Sequence, residues 1–268
     1  DGEDKMKKKA NTDKKKFTPY WLLSRLALCV FFGGWYLLTC SPSSIIPTPV
    51  DVVTRFFEVL REPIANVPIW EHILVSLRRV FGAFLAAAVL GILFGVLLGW
   101  FKTFRKIFYP LYNLLRPIPP IAWIPIIVLL FGIGELPKMI IVFIGAFTPI
   151  VFNTYSAVLM VDPLVLNAGI VLGANERQLL FQVALPDCIP SIIAGLKTAM
   201  SIAWMCVVAA EMIVSRAGVG FLINRGMENS DTALVMVSMV VIAAVSATIT
   251  FVLNKLEEVL CPWLTIGK

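Results

Sequence analysis

The stretch N-A-G-I-V-L-G-A-N-E-R-Q-L-L-F-Q-V-A-L-P-D-C-I-P, from Asn167 to Pro190, is a polar interruption between two long apolar runs. Its amide and charged side chains exclude it from the hydrocarbon interior of a bilayer, so we predict a loop outside the membrane over residues 162–190. Asn175, followed three residues later by Gln178, predicts a capped helix start, and Pro186 predicts the end of that helix.

Composition places this loop in a membrane protein. The chain has 268 residues, of which 59% are hydrophobic and only 15% charged, and its mean hydropathy is +0.86. Soluble domains are less apolar and more charged. Several runs reach the length that spans a hydrocarbon core, so we predict an all-α polytopic membrane protein with about six transmembrane helices.

The net charge of +6 does not indicate nucleic-acid binding, because lysines near one end account for it. A basic cluster before a first span favours a cytoplasmic tail, here 1–19, close to anionic membrane lipid. A disordered solubilising tail is compatible with the same pattern. The cluster consists of Lys5, Lys7, Lys8, Lys9, Lys14, Lys15 and Lys16.

The run from 20 to 40 is predicted to be the first transmembrane helix. A cleaved signal peptide and a lipoprotein cleavage box ending at Cys40 are alternatives. We favour an uncleaved span, because the chain beyond it is itself a multi-span protein. Residues 41–79 are then an extracytoplasmic segment with an amphipathic helix, 80–253 a five-helix core that includes the 162–190 loop, and 254–268 a cytoplasmic tail.

The second span, about 80–100, carries Gly91, Gly95 and Gly99 on one face. Such a face permits close helix packing, either within the chain or across a dimer seam. The basic loop that follows predicts a cytoplasmic position, so six spans place both termini and the 162–190 loop in the cytoplasm.

The third apolar run begins with R-P-I-P-P-I-A-W-I-P, from Arg116 to Pro125, and its prolines prevent a regular helix. Irregular backbone at membrane depth is tolerated where protein or a water-filled cavity covers it. Arg116, Pro120 and Trp123 are therefore candidates for a pathway wall or gate, the alternative being a kink at the membrane interface.

The fifth span, about 192–214, adds Ser201, Trp204 and Glu211 to these pathway or gate candidates. An ionisable group within a span is costly and often functional. Glu211 lies close enough to the outer end to reach water, and we expect it to pair with Arg216 or Arg225. A structural or gating role for Glu211 is favoured over substrate contact.

The sequence contains no phosphate-binding G-x-x-x-x-G-K-[ST] loop and no H-E-x-x-H motif. His72 is the single histidine, and no cysteine pair has metal-ligand spacing. We therefore predict a non-enzymatic chain with no catalytic residues, metal or cofactor of its own. A secondary, ion-coupled carrier remains an alternative to an ATP-driven system.

The 162–190 loop resembles the signature of membrane subunits of ATP-binding-cassette (ABC) importers, E-A-A, three residues, G, nine residues, I-x-L-P. Asn167-Ala168-Gly169 takes the place of E-A-A, Gly173 is the glycine, and Val183-Ala184-Leu185-Pro186 closes the pattern. Asn167 and Gly169 depart from it. The resemblance implies a coupling helix that docks in a groove of an ATPase subunit. It assigns coupling to Ala168, Gly169, Gly173, Ala174, Asn175, Glu176, Leu185 and Pro186.

Further motifs are similar to those of the nitrate, sulfonate, taurine and bicarbonate type of importer permease. They are Ile46-Pro47-Thr48-Pro49, Ser76-Leu77-Arg78-Arg79-Val80, the Arg116–Pro125 run, Phe131-Gly132-Ile133-Gly134-Glu135, Ala209-Ala210-Glu211-Met212-Ile213 and Gly218-Val219-Gly220. This resemblance implies the type I ABC importer permease fold and a bacterial inner-membrane location. It also implies a homodimer of permeases, two cytoplasmic ATPase subunits that bind ATP and Mg²⁺, and an extracytoplasmic solute-binding protein for a small anion.

Overall fold

A computed structural model of the chain describes residues 20–41 and 44–260. The predicted basic tail, 1–19, and residues 261–268 of the predicted C-terminal tail lie outside the described residues. The chain divides into two compact units, Asp1–Thr54 and Arg55–Lys268.

The regular structure of the described residues is helical. The helices are α1 (Tyr20–Thr39), α2 (Pro49–Arg61), α3 (Ile69–Trp100), α4 (Lys102–Leu115), α5 (Ile124–Phe131), α6 (Glu135–Met160), α7 (Pro163–Val171), α8 (Glu176–Gln178), α9 (Leu185–Val214), α10 (Val219–Glu228) and α11 (Thr232–Leu260). A 3₁₀ turn, Pro120–Trp123, precedes α5, and a π-helical stretch, Leu179–Ala184, joins α8 to α9.

Four helical segments within the described residues are long and apolar enough to cross a membrane. They contain α3, α6, α9 and α11. A fifth crossing is possible if α4 and the Pro120–Phe131 segment, which are bent by 88° relative to each other, form one broken span. The shorter apolar helix that ends at Thr39 occupies the predicted first span.

The helix that contains the predicted second span begins earlier than the hydropathy of the sequence indicates. Helix α3 starts at Ile69, directly after Pro68, and not near residue 80. Its first turns carry buried polar side chains, among them His72 and Ser76. These side chains lower the local hydropathy without ending the helix, because partners inside the protein satisfy them.

The first unit contains α1 and the start of α2. The indole Nε1 of Trp35 donates to the carbonyl oxygen of Pro47 at 3.1 Å. Thr48 and Asp51 then cap the next helix reciprocally, since the Thr48 amide donates to Asp51 Oδ2 at 2.9 Å and the Asp51 amide to Thr48 Oγ1 at 3.2 Å. Pro49 follows the cap, where its missing amide hydrogen leaves no bond unmade.

In the second unit, α6 packs between α3 and α9. The glycine face of α3 is the reason that α3 and α6 lie so close. A Cβ atom added at Gly91, Gly95 or Gly99 would lie 2.9, 2.6 or 2.5 Å from a side chain of α6. The glycines therefore serve packing within the chain, which decides between the two alternatives that the sequence left open.

Glycine also permits the close contact between α6 and α9. A Cβ atom on Gly195 would lie 2.6 Å from Cβ of Asn153, and one on Gly145 would lie 2.6 Å from Sγ of Cys206. Ala199 and Ala203 on the same face of α9 are fully buried. Because helix backbones approach closely only where side chains are small, these residues fix the spacing of the three central helices.

We predict that Gly95→Ala destabilises the protein, whereas Gly33→Ala does not. The added methyl group at position 95 would collide with Thr154, and overpacking of this kind costs about 1–3 kcal/mol. Gly33 in α1 provides the matched control, because a Cβ atom added there would meet no other atom within 4 Å. The midpoint of thermal unfolding in detergent is the measurement, and equal midpoints for the two variants would contradict the close packing of α3 and α6.

Candidate coupling loop and translocation site

The loop predicted at 162–190 begins with a short capped helix. The Asp162 carboxylate accepts from the Leu164 amide at 2.8 Å and caps α7. At the other end Gly173 adopts a left-handed conformation with φ of 83°. The Gly173 amide donates to the Ile170 carbonyl at 2.9 Å, and the Ala174 amide to the Gly169 carbonyl at 3.0 Å. These bonds form a Schellman motif, so Gly173 is needed for its backbone freedom.

The predicted helix start at Asn175 is confirmed. The Asn175 side chain accepts from the Gln178 amide at 3.0 Å, and the Gln178 side chain accepts from the Asn175 amide at 2.9 Å. Glu176 follows the cap in the first turn, where a negative charge suits the helix dipole.

The prediction that Pro186 ends this helix is wrong. The chain continues through the π-helical stretch into α9, and Leu185 and Pro186 form the first turn of that helix. The first turn of a helix tolerates proline, and the wider π-helical turn before it separates the proline ring from the preceding carbonyl groups. The loop and the fifth span are therefore one continuous helical path from Glu176 to Val214.

The small residues of the loop have more than one role. Gly169 is buried, and a Cβ atom there would lie 2.7 Å from Leu179 Cδ2. Gly169 therefore lets α7 pack against the π-helical stretch, and it does not present an open surface. Ala168 is exposed, whereas Ala174 is half-buried.

Large apolar side chains of the loop remain uncovered in the single chain. The most exposed are Leu172 and Val171, at 87% and 86%. An exposed apolar cluster on a segment too polar to enter the membrane indicates a protein interaction site. We define the loop surface as Leu164, Val165, Ile170, Val171, Leu172 and Phe181.

At the opposite end of α9, Glu211 is fully buried and is held by several donors. Its Oε1 accepts from Arg79 Nη1 at 2.7 Å, and its Oε2 accepts from the Gly220 amide at 3.0 Å. The Ser76 hydroxyl lies 2.8 Å from both carboxylate oxygens and accepts from the Val219 amide at 2.9 Å. The expectation that Glu211 reaches water and pairs with Arg216 or Arg225 is wrong.

Arg79 extends this arrangement to a second carboxylate. Its Nε and Nη2 atoms donate to the two Glu135 oxygens at 2.6 and 2.7 Å. Lys138 Nζ donates to the same carboxylate at 2.8 Å. Two buried bases thus meet the buried Glu211 and the exposed Glu135 where α3, α6 and α9 meet, so each buried charge has a partner of opposite sign. We call the side chains of His72, Ser76, Arg79, Glu135, Lys138 and Glu211 the Glu211 network.

The turn after α9 can cover the Glu211 network only because it contains glycines. A Cβ atom on Gly218 would overlap the Glu211 carboxylate, and one on Gly220 would overlap the Val208 carbonyl oxygen. Gly218 also has φ of 126°, and its amide donates to His72 Nδ1 at 3.0 Å. His72 is therefore a buried hydrogen-bond acceptor.

A second polar site lies at the bend between α4 and the 3₁₀ turn. Arg116 sits at this bend, with its guanidinium carbon 3.8 Å from the centroid of the Phe152 ring. Arg116 and Pro120 line a cavity of about 330 Å³ between the bend, α6 and α9. Arg116 and Trp123 also line an adjoining, largely aromatic cavity of about 290 Å³.

The remaining two pathway candidates are in different environments. Ser201 lines a cavity of about 210 Å³ with Lys197 and Thr250. Trp204 is only 3% exposed and packs in the hydrophobic core of the second unit. A pathway role for Trp204 thus finds no support in its position within a single chain.

The polar residues missed in the sequence are His72, Ser76 and Arg79. Ser76 and Arg79 were named only within a motif of the family resemblance and His72 only as the single histidine, and no local pattern connects them with Glu211. Their spacing of three and four residues did place them on one helix face. A buried acid such as Glu211 requires hydrogen-bond donors and a base inside the protein, and this helix face supplies them.

Comparison with known proteins identifies relatives along nearly the whole chain. Residues 77–266 match the family described as binding-protein-dependent transport system inner membrane component. The chain is 34% identical over 241 residues to a probable ABC transporter permease protein of Brucella melitensis, covering 90% of this chain and 96% of the relative. It is 32% identical to the taurine transport system permease protein TauC of Escherichia coli, covering 91% and 92%.

A nitrate import permease protein, NrtB of Synechocystis, is 29% identical, with 92% of this chain and 91% of the relative covered. Among solved structures, a chain of the MetNI methionine ABC transporter in an inward-facing conformation superposes with a TM-score of 0.62. That match covers 70% of this chain and 94% of the MetNI chain at 19% sequence identity, so it bears on the fold alone.

We predict that Glu211→Ala destabilises the protein by about 3–5 kcal/mol, because it leaves the buried Arg79 guanidinium short of an acid. Glu258→Ala is the control. Its carboxylate pairs with Lys255 on an exposed helix face, where such a pair contributes at most about 1 kcal/mol. Thermal unfolding of the two purified variants in detergent tests this difference. A Glu211→Ala variant as stable as Glu258→Ala would show that the Glu211 network does not hold the helices together.

Proposed function

The chain belongs to the family of binding-protein-dependent transport system inner membrane components, and from this membership we propose that it carries a small anion into the cell in an importer driven by separate ATPase subunits. The protein is an ABC importer permease subunit and a multi-pass inner-membrane protein. It has the all-α fold of type I ABC importer permeases, as the sequence predicted.

The exposed loop surface is the observation that carries the coupling part of the proposal. Leu172 and its neighbours form an apolar face on a capped loop between two spans, and no other described part of the chain covers them. We assign this face to the groove of a cytoplasmic ATPase subunit, which would bind ATP and Mg²⁺ and hydrolyse the nucleotide. The Schellman turn at Gly173 and the cap at Asn175 hold the loop in shape before it docks.

We further propose that two copies of the chain enclose the translocation path. The helices α3, α6 and α9 pack directly against one another through glycine and alanine, so the central contact of one chain, in its described part, leaves no continuous passage. A path between two copies would use the cavity at the α4 bend, which Arg116 and Pro120 line, together with the separate cavities that Trp123 and Ser201 line. Both termini and the 162–190 loop then lie in the cytoplasm, and an extracytoplasmic solute-binding protein delivers the solute.

The substrate proposal rests on two of the relatives. One is a taurine transport permease and another a nitrate import permease. A small anion such as nitrate, a sulfonate or bicarbonate is therefore the class that we propose for this chain. In a binding-protein-dependent system the binding protein contributes to this selection.

The alternative, an ion-coupled carrier without an ATPase, has less support. A proton-coupled carrier needs an ionisable group that gains and loses its proton along the path. Glu211 is instead held by Arg79, Ser76 and a backbone amide inside the protein. That environment suits a structural ion pair better than a proton carrier.

We predict that Leu172→Glu abolishes ATPase binding, whereas Ile133→Glu leaves it intact. Both side chains are at least 80% exposed, so neither substitution disturbs the core. Leu172 lies on the loop surface, which follows the C-terminal end of α6. Ile133 lies in the turn before the N-terminal end of the same helix. The measurement is the amount of ATPase subunit that co-purifies with the tagged chain from native membranes, with a loss of at least about tenfold expected for Leu172→Glu. Full retention of the ATPase by Leu172→Glu would contradict the proposed docking site.

We predict that Gly173→Val uncouples ATP hydrolysis from uptake more than Gly173→Asn does. A left-handed backbone strains a valine by about 1–2 kcal/mol, whereas asparagine tolerates it. The strained turn would shift the capped segment that follows it, although no atom lies within 4 Å of the added Cβ. The readout is the amount of ATP hydrolysed per anion imported by the reconstituted complex. Equal ratios for both variants would remove Gly173 from the coupling mechanism.

A further inference from the structure

Arg116 is exposed at the bend after α4 and, unlike Arg79 and Arg55, has no acidic partner among the described residues. Arg79 pairs with Glu211 and Glu135, and Arg55 pairs with Asp231. In the part of the chain that the structure describes, no carboxylate lies within ion-pair distance of Arg116. Its guanidinium rests instead on the Phe152 ring, which leaves its N–H groups available to an acceptor from outside the chain.

The position of Phe152 places this guanidinium at membrane depth. With a rise of 1.5 Å per residue, Phe152 lies about 25 Å along α6 from Glu135 and about 12 Å from Met160. Helix α6 is one of the candidate spans. A cation at this depth is costly unless it faces water or a partner, and a ring contact offsets only part of that cost.

The cavity beside Arg116 supplies the space that a partner needs. Its volume of about 330 Å³ falls in the range of small-ligand sites. Thr148, Asn153 and Thr198 contribute polar groups to its wall. Each of these three side chains donates a hydrogen bond to the carbonyl four residues earlier in its own helix. The hydroxyl protons are thereby engaged, so Arg116 supplies the positive charge and most of the free donors.

We propose that Arg116 binds the anionic group of the solute inside the permease, so that the translocation path itself selects for negative charge. The inference rests on the proposed function, because it assumes that the cavity is part of an anion path. The ligand class is a small oxyanion, such as nitrate, bicarbonate or a sulfonate, which a guanidinium binds with charge-assisted hydrogen bonds. By the proposed topology the site lies in the cytoplasmic half of the membrane, on the far side of the Glu211 network from the binding protein.

Direct binding is tested on the purified chain in nanodiscs of zwitterionic lipid, with chloride as the probe. The ³⁵Cl resonance broadens when chloride exchanges with a protein site. We expect excess broadening that nitrate displaces and that Arg116→Gln removes. Arg216→Gln, which removes one arginine outside the cavity, is the matched control and should retain the broadening.

Transport is tested in proteoliposomes that contain the permease, its ATPase and its binding protein. Arg116→Gln should lower the maximal rate of uptake roughly tenfold to a hundredfold, the loss expected for a charge-assisted contact. The KM should stay unchanged because the binding protein sets it, and Arg116→Lys should restore part of the rate. Co-purification of the ATPase with Arg116→Gln verifies that the variant folds and assembles.

Several results would overturn the assignment. Wild-type rates in Arg116→Gln, with ATP-driven uptake by the unaltered complex, would overturn this inference alone. An unaltered complex that imports no anion would overturn the proposed function with it. Broadening that persists in Arg116→Gln, or that disappears once anionic lipid is added to the nanodiscs, would exclude a solute site at Arg116. In the second case a lipid phosphate would be the anion that Arg116 binds.

Discussion

The buried carboxylate of Glu211 is the constraint from which the arrangement of the helix ends follows. A charge with no exposure must be neutralised and hydrogen-bonded inside the protein, and Arg79, Ser76 and the Gly220 amide meet that demand. These hydrogen bonds bring the first turns of α3 against the last turns of α9. They also place the turn after α9 directly on the Glu211 carboxylate. Arg79 then holds Glu135 at the start of α6, so the three packed helices are joined at one end by a single set of charges.

The packing of α3, α6 and α9 depends on small residues. Glycine at positions 91, 95, 99 and 195 allows the helix axes to approach closely. Helix α4 and the Pro120–Phe131 segment after it are instead bent by 88° relative to each other, and the prolines after Arg116 lack the amide hydrogens that an unbroken helix would use there. The cavity that Arg116 lines lies at this bend.

Sequence reasoning was sound where the signal was local and incomplete where it depended on partners. The capped start at Asn175 and the irregular run after Arg116 follow from a few neighbouring residues, and the structure has both. The partner of Glu211 could not be found in this way, because Arg79 lies 132 positions away and looked like a polar flank of the span. The prediction for Pro186 failed because the sequence does not distinguish a proline that ends a helix from one in the first turn of a helix. The π-helical stretch that precedes Pro186 could not be recognised from the sequence. Three of the motifs that carried the family resemblance contribute side chains to the Glu211 network, and a fourth, Gly218-Val219-Gly220, covers it.

Helix α9 connects the 162–190 loop with the Glu211 network. Its first turn continues the 162–190 loop, and Glu211 lies in its last turn, about 40 Å away at 1.5 Å per residue. A rigid helix can transmit a displacement from one end to the other. The π-helical stretch joins the loop to α9 without a break in the helical path. A movement of the loop on the ATPase would therefore displace Glu211 relative to Arg79. The ion pairs of Glu211 would then either keep the ends of α3 and α6 together or break and let them separate. The small face of α9 that contacts Asn153 and Gly145 would shift in that movement, next to the cavity that Arg116 lines.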